Sequence, residues 1–171
     1  LADRRGSRWL LDFCSQSNGD VELLIAGECR SKELRAEFDA TANVLFLGRL
    51  PYDRALAIMR QSDAVALLYD PSWPIHQVLD PTKFYEAMMV GRPLLVSRGV
   101  SISQLVEDKG LGFVLTHGSE EELRDAVEQL RRPGEIAEMR SRCRQYYLDN
   151  MQLSKEISKY RDFYLRLVED K

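Results

Sequence analysis

The sequence has no long hydrophobic run. Nowhere in its 171 residues is there anything near the roughly 18 consecutive apolar residues of a membrane span. Its opening residues do not read as a signal peptide. Cysteine is scarce and scattered. Cys14, Cys29 and Cys143 form no pair with metal-ligand or redox spacing. Two of them fall in expected elements, where free cysteine behaves as a small apolar side chain, and a reducing, cytoplasmic compartment is expected. There are two histidines, His76 and His117, with no acid spaced to join them, so no metal site is expected. Basic excess is also lacking. Twenty-four Lys and Arg face 27 Asp and Glu, a formal net charge of −3, which gives no electrostatic case for nucleic acid. Ser97 and Ser101 stand outside any nucleophile-elbow pattern, which argues against a hydrolase triad. Internal repeats and low-complexity tracts are absent.

What remains is enough for one domain. A chain of this length buries about 70% of its unfolded surface and needs no staple. Apolar runs and helical periodicities alternate along it. Strands are expected at 21–26, 44–47, 65–68, 94–96 and 113–115. Helices are expected at 6–14, 31–38, 52–61, from Pro81 to 90, from Ile102 to Glu107, at 119–131, 135–147 and 153–168. Asn18-Gly19-Asp20 reads as a turn and 69–80 as a long irregular loop. Ser31 suits a helix cap, and Ser119 with Glu122 has capping-box spacing. This order predicts an α/β fold with a doubly wound parallel sheet, whose ligands bind at the carboxyl ends of the strands. Gly27, Gly48, the loop after Leu68 and Ser97-Arg98-Gly99 would line that rim.

The stretch from Asp80 to Ser97 is the most specific. It opens a helix at Pro81, stops it at Gly91 and enters a buried apolar strand after Arg92-Pro93. Lys83 and Glu86 lie three apart on the first turn. A helix N-terminus carrying a lysine and a carboxylate can take an anion and a hydroxylated group side by side, and a nucleotide diphosphate sugar offers both.

The run Pro-Thr-Lys-Phe-Tyr-Glu-Ala-Met-Met-Val-Gly-Arg-Pro resembles the nucleotide-binding signature of retaining GT-B glycosyltransferases, the glycosyl transferases group 1 family. Leu23-Leu24-Ile25-Ala26-Gly27, Asn43 to Leu50 and Ser62 to Leu68 resemble further elements of that family in the same order. The resemblance implies the Rossmann-like, donor-binding half of a GT-B fold over residues 1–171, with residues from about 150 forming a helix that crosses to an N-terminal domain. By that resemblance Glu86 holds the donor ribose, and Arg5, with Arg4 competing for the role, contacts the diphosphate. Backbone at Gly27, Gly48 and Arg49 approaches the nucleotide, and the helix start at Thr82 and Lys83 stabilises the leaving phosphate. Lys83 reads equally as a phosphate or sugar contact and as a solvated ion pair. No catalytic residue, cofactor or metal is implied; the nucleotide sugar is the donor substrate. The acceptor would be a glycan or glycolipid held by a domain outside this chain, with peripheral membrane contact in the whole protein and a role in polysaccharide biosynthesis. The hexosyltransferase would be inactive as this fragment.

The sequence departs from the pattern at Val78, where the family often carries a second glutamate near the donor sugar; Asp80 is the nearest acid. Family members also begin this domain with an apolar strand ahead of the turn matched here by Arg5-Gly6, so a strand upstream is expected. Two alternatives stay open, a nucleotide-sugar epimerase of the same fold and a non-catalytic binding module. His76 is expected as an exposed loop residue, with a sugar contact as its alternative, and His117 as structural. Arg140, Arg142 and Arg144 read as a solvated helix face. Ile157, Tyr160, Tyr164, Leu167 and Val168 form an apolar stripe on the last helix.

Overall fold

Five short strands, all in parallel pairings, carry the architecture. The computed structural model describes residues 3–17 and 19–169; Asn18 of the expected turn lies outside them. A 3₁₀ turn at Asp3–Arg5 leads through Gly6 into α1 (Ser7–Gln16). Then follow β1 (Leu23–Ala26), α2 (Lys32–Ala40), β2 (Val44–Gly48), α3 (Tyr52–Gln61) and β3 (Val65–Leu67). The second half comprises α4 (Pro74–Val78), α5 (Thr82–Val90), β4 (Leu94–Ser97), α6 (Ser103–Lys109), β5 (Gly112–Leu115), α7 (Glu120–Leu130), α8 (Pro133–Asn150) and α9 (Leu153–Glu169).

The strands form two sheets rather than one. β1 pairs with β2, and β3, β4 and β5 pair in that order. β4 shows why the second sheet must be covered on both faces. Leu94 and Val96 enter a cluster with Phe84, Met88, Val106 and Cys143. Leu95, pointing the other way, joins Trp9, Phe13, Leu115 and Leu123. α1 links the two sheets. Trp9 and Phe13 pack with β4 and β5, while Leu11 and Cys14 pack with Ile25, Leu34, Phe38 and Val44 around the first sheet.

Local sequence sets the element ends. Ser31 Oγ accepts from Leu34 N–H at 3.0 Å, capping α2. Ser119 Oγ accepts from Glu122 N–H at 3.3 Å, capping α7. The Glu122 carboxylate reaches further back than a capping box requires and accepts from Thr116 N–H at 2.6 Å. That bond holds the Glu122 carboxyl below its ordinary range. Gly91 ends α5 with φ 67°, and its N–H and that of Arg92 close on Met88 and Ala87.

Three expectations are corrected. The loop after β3 contains a short helix, α4, opened by Pro74 at its first turn. α8 begins at Pro133, ahead of the expected start at 135, with the proline in its first turn. Arg140, Arg142 and Arg144 are not simply solvated. Arg140 pairs with Asp63 at 2.7 Å, Arg142 Nε donates to the Gly110 carbonyl at 3.1 Å, and Arg144 donates to the Met89 carbonyl. The last two satisfy carbonyls at the ends of α6 and α5, so they fasten α8 across the second sheet's helices.

Gly6 makes the tightest backbone approach at the rim. Its φ is 73°, and a Cβ there would lie 2.6 Å from both Leu68 Cβ and the Leu68 carbonyl oxygen. Gly48 has a similar φ of 66° but open space around it. Alanine at either position costs about 1–3 kcal/mol for the left-handed backbone. Gly6→Ala adds the clash, so its melting temperature should fall clearly below that of Gly48→Ala; equal losses would show that the approach to Leu68 is not tight. The Glu122 bond also has a pH signature. A carboxyl held low in the folded state stabilises above its unfolded value, near 4.3, and the stability is lost as pH falls through the lower folded value. Glu122→Gln should therefore flatten the acid limb of a stability–pH curve, which chemical denaturation at stepped pH measures.

Candidate nucleotide-binding rim

Parallel strands put their carboxyl ends on one side, and α1 places both sheets in the same sense. It starts at Gly6, against Leu68 just past β3, and it ends where Asn43 Nδ2, at the amino end of β2, donates to the Cys14 carbonyl at 2.8 Å. The carboxyl ends of β1 and β2 therefore face the same way as those of β3, β4 and β5. Gly27 and Gly48 meet there, Gly27 N–H donating to the Gly48 carbonyl at 2.7 Å. Nothing fills the space a side chain would take at either glycine.

The chain start lies against the loop after β3. Asp70 N–H donates to the Arg4 carbonyl at 3.0 Å. The Arg4 guanidinium lies 3.2 Å over the Trp73 ring, and that of Arg5 lies 5.8 Å from the centre of the Tyr69 ring. Both arginines are exposed. Arg4 is thus committed to an aromatic face, while Arg5 stands at the rim with a looser contact.

α5 opens onto the same region. Pro81 precedes it and supplies no side-chain cap, so the first N–H groups, at Thr82 and Lys83, are open. Glu86 sits one turn in, its side chain only 14% exposed. Among the described residues its polar partner is Lys83, whose Nζ lies 3.9 Å away, beyond hydrogen-bond distance, on a side chain that is 53% exposed. A sheltered carboxylate without an internal hydrogen bond retains its full accepting capacity.

The structure brings Thr82, Lys83 and Glu86 together on one helix end, and it sets Arg5, Gly27 and Gly48 at strand ends or loops of the same side. Arg49 is engaged elsewhere. Its Nη2 donates to Glu28 at 2.9 Å, joining the loops after β2 and β1. Arg49 and Arg30 together hold the exposed Glu28 carboxyl below its ordinary range, the Arg49 hydrogen bond contributing most.

His76 is buried, contrary to the expectation of an exposed loop residue. It stacks on Tyr69 with ring centroids 5.1 Å apart, and its Nδ1 lies 2.8 Å from the Asp70 carbonyl oxygen. His117 is structural, 3.0 Å from Ser97 Oγ through Nδ1 and edge-on to Trp9. Val78 is 73% exposed. Asp80 accepts from the Tyr85 hydroxyl at 2.6 Å and pushes that phenol up to about 12. Sequence reasoning missed the packing of Tyr69, Trp73 and His76 with the chain start. The aromatic residues Tyr69 and Trp73 in the loop after β3, and the Arg4-Arg5 pair at the other end of the contact, were the available signal, but they lie more than 60 residues apart in the sequence.

Comparison with known proteins places this arrangement. No curated protein sequence matches the chain significantly. Solved structures do. HepE of Anabaena, in complex with UDP and glucose, is 21% identical and superposes with a TM-score of 0.77 over 96% of this chain and 45% of its own. Sucrose-phosphate synthase from Thermosynechococcus elongatus is 16% identical, with a TM-score of 0.79 over 99% of this chain and 44% of its own. WaaG, a glycosyltransferase involved in lipopolysaccharide biosynthesis, is 17% identical, with a TM-score of 0.70 over 94% and 43%. The chain therefore spans less than half the length of these structures. Its fold is the Rossmann-like half of a GT-B glycosyltransferase with added C-terminal helices. The family model described as glycosyl transferases group 1 matches residues 1–132, and the chain belongs to that family.

Proposed function

We propose that this chain is the donor half of a retaining glycosyltransferase that binds a nucleotide diphosphate sugar at the rim. The observation that carries the reading is Glu86, a sheltered carboxylate with no internal hydrogen bond, one turn inside an uncapped helix start. Vicinal ribose hydroxyls satisfy such a group as two donors to one acceptor pair. The open N–H groups of Thr82 and Lys83 and the positive end of α5 favour the diphosphate. Arg5 adds a guanidinium fork that matches phosphate oxygens. Gly27 and Gly48 leave backbone bare where the nucleoside approaches, and the Arg49–Glu28 pair borders that space.

Charge develops on the leaving diphosphate as the glycosyl bond breaks. Fixed donors aimed at that charge lower the barrier without moving during the reaction. Lys83, the Thr82–Lys83 backbone and Arg5 serve this role, so the reading needs neither a nucleophile from this half nor a metal. HepE has been solved with UDP and with UDP-glucose, which supports a nucleotide sugar as donor here and makes uridine the first base to test. The acceptor, a glycan or glycolipid, belongs to a second domain outside this chain, reached from the cytoplasmic side of a membrane. The chain alone binds donor without turnover. The exposed apolar residues Ile157, Tyr160, Tyr164, Leu167 and Val168 of α9 suit a contact with that domain.

A thermal-shift series with UDP, GDP, ADP and their sugar conjugates tests the reading. Ligand at 100 times its Kd adds about 2.7 kcal/mol, a rise of roughly 5–10 °C for a domain of this size. One nucleotide should shift the melt selectively; no shift with any of them, on the chain and on the full-length protein alike, would contradict donor binding.

Removing a hydrogen bond to a charged group costs about 1.5–3 kcal/mol, so Glu86→Ala should weaken nucleotide affinity roughly 10- to 100-fold while leaving the unliganded melting temperature nearly unchanged. Titration calorimetry reads this directly, and unchanged affinity would remove Glu86 from the site. Arg5→Ala should weaken the diphosphate about tenfold and the corresponding nucleoside much less. Equal losses for both would place Arg5 away from the phosphates.

A further inference from the structure

Aspartate and proline followed by a hydroxylated residue occur twice between β3 and the start of α5, as Asp70-Pro71-Ser72 and as Asp80-Pro81-Thr82. An aspartate in such a run ordinarily accepts from the backbone N–H two residues on, closing an Asx turn. The first copy does so. Asp70 Oδ1 accepts from Ser72 N–H at 2.9 Å, and the contact with Ser72 holds the Asp70 carboxyl below its ordinary range. The second copy does not. Asp80 Oδ2 accepts instead from the Tyr85 hydroxyl at 2.6 Å, and Thr82 N–H has no acceptor among the described residues.

The difference comes from α5 itself. Tyr85 is the fourth residue of that helix and reaches back past its start to Asp80. Its ring is seated edge-on against Phe84, with centroids 5.4 Å apart, and Phe84 is buried in the core of the second sheet. A hydroxyl on an anchored ring thus meets a carboxylate in a short, charge-assisted bond. The same bond is the main reason the phenol is pushed up to about 12, so the hydroxyl keeps its proton at neutral pH and stays the donor.

What this does for the helix start follows from where the neighbouring donors go. Phe84 N–H closes on the Pro81 carbonyl at 2.9 Å. The N–H groups of Thr82 and Lys83 are then the ones left for a ligand. A carboxylate closed onto Thr82 N–H would take one of them. It would also set a full negative charge where the diphosphate is to bind, and like charges brought together oppose an anion. Lys83 and Glu86, the other charged side chains of this turn, face each other at 3.9 Å, and among the described residues neither forms an ion pair with Asp80.

We propose that Tyr85 is a positioning residue of the donor site: its hydroxyl holds the Asp80 carboxylate off Thr82 N–H and keeps the start of α5 open to phosphate. The inference rests on the reading of the rim as a donor site and adds a residue to it. Tyr85 acts through Asp80 rather than by touching the donor. Without the hydroxyl, Asp80 becomes an internal competitor of the diphosphate and closes the turn that Asp70 closes in the same loop.

Tyr85→Phe removes the hydroxyl and keeps the ring against Phe84, so the fold is retained. Amide hydrogen exchange, followed by NMR on the full-length protein without nucleotide, reads the first consequence. Ser72 N–H is the internal reference, because it is already held in its turn. Relative to it, Thr82 N–H should exchange about tenfold or more slowly in Tyr85→Phe than in the unaltered protein. Titration calorimetry reads the second consequence. UDP should bind Tyr85→Phe about tenfold more weakly, with uridine changed less than about twofold, because only the diphosphate meets the helix start. Adding Asp80→Ala to Tyr85→Phe should restore both the fast Thr82 exchange and the UDP affinity, since alanine offers no acceptor. Unchanged Thr82 exchange in Tyr85→Phe would overturn the proposal. So would a loss of UDP affinity that Asp80→Ala fails to rescue, which would make Tyr85 a direct contact or a packing residue. The exchange measurement contains no nucleotide, so its failure is distinct from failure of donor binding.

Discussion

The contact between Gly6 and Leu68 is the constraint on which the other parts depend. A Cβ at Gly6 would fall 2.6 Å from the Leu68 carbonyl oxygen, so the turn can close against β3 only with hydrogen in that place. That closure sets the start of α1. From it follow the seating of Trp9 and Phe13 on the second sheet and of Leu11 and Cys14 on the first. Two sheets that share no strand pairing are thereby held in one orientation by one helix. Their carboxyl ends come to a common side, and Arg5, the residue before the turn, is delivered to it.

Chemistry at that side comes from groups left without internal partners. Side chains satisfy some of the helix ends. Ser31 and Ser119 cap α2 and α7, and Arg142 and Arg144 satisfy carbonyls at the ends of α6 and α5. The start of α5 has no side-chain cap, a condition it shares with α1, α3, α4, α6 and α8; what sets it apart is Glu86 one turn later, which has a lysine nearby but no hydrogen bond. Unmet donors beside a sheltered acceptor suit a ligand with an anionic part and a hydroxylated part. The burial of His76 under Tyr69 and Trp73 makes the neighbouring loop a firm wall.

Local signals in the sequence located most elements because they act within a few residues. Pro81 and Gly91 bracket α5, Ser119 opens α7, and the unbroken apolar run at Leu94–Val96 marks a strand covered on both faces. Tyr52–Gln61 was legible to the residue from its periodicity. What was not legible depends on partners far along the chain. Whether His76 is exposed is decided by Tyr69 and the Asp70 carbonyl, and α4 is too short to show a period. Arg142 and Arg144 look like surface charge until Gly110 and Met89 are seen beneath them. Strand pairing is of the same kind: periodicity finds β1 and β3 but cannot tell that they stand in separate sheets. At the site, Lys83 and Glu86 were readable from spacing and family resemblance, whereas the engagement of Arg4 by Trp73 and of Arg49 by Glu28 was not.

The central claim is that a nucleotide sits across the strand ends and the start of α5. Chemical-shift mapping of the chain's amides during titration with UDP tests it most directly. The account predicts shifts concentrated at Gly27, Gly48 and Thr82 to Glu86, spreading to Arg5 and Tyr69, with α7 and α8 unchanged. Shifts confined to other surfaces, with the Thr82 to Glu86 amides unmoved at saturation, would contradict it.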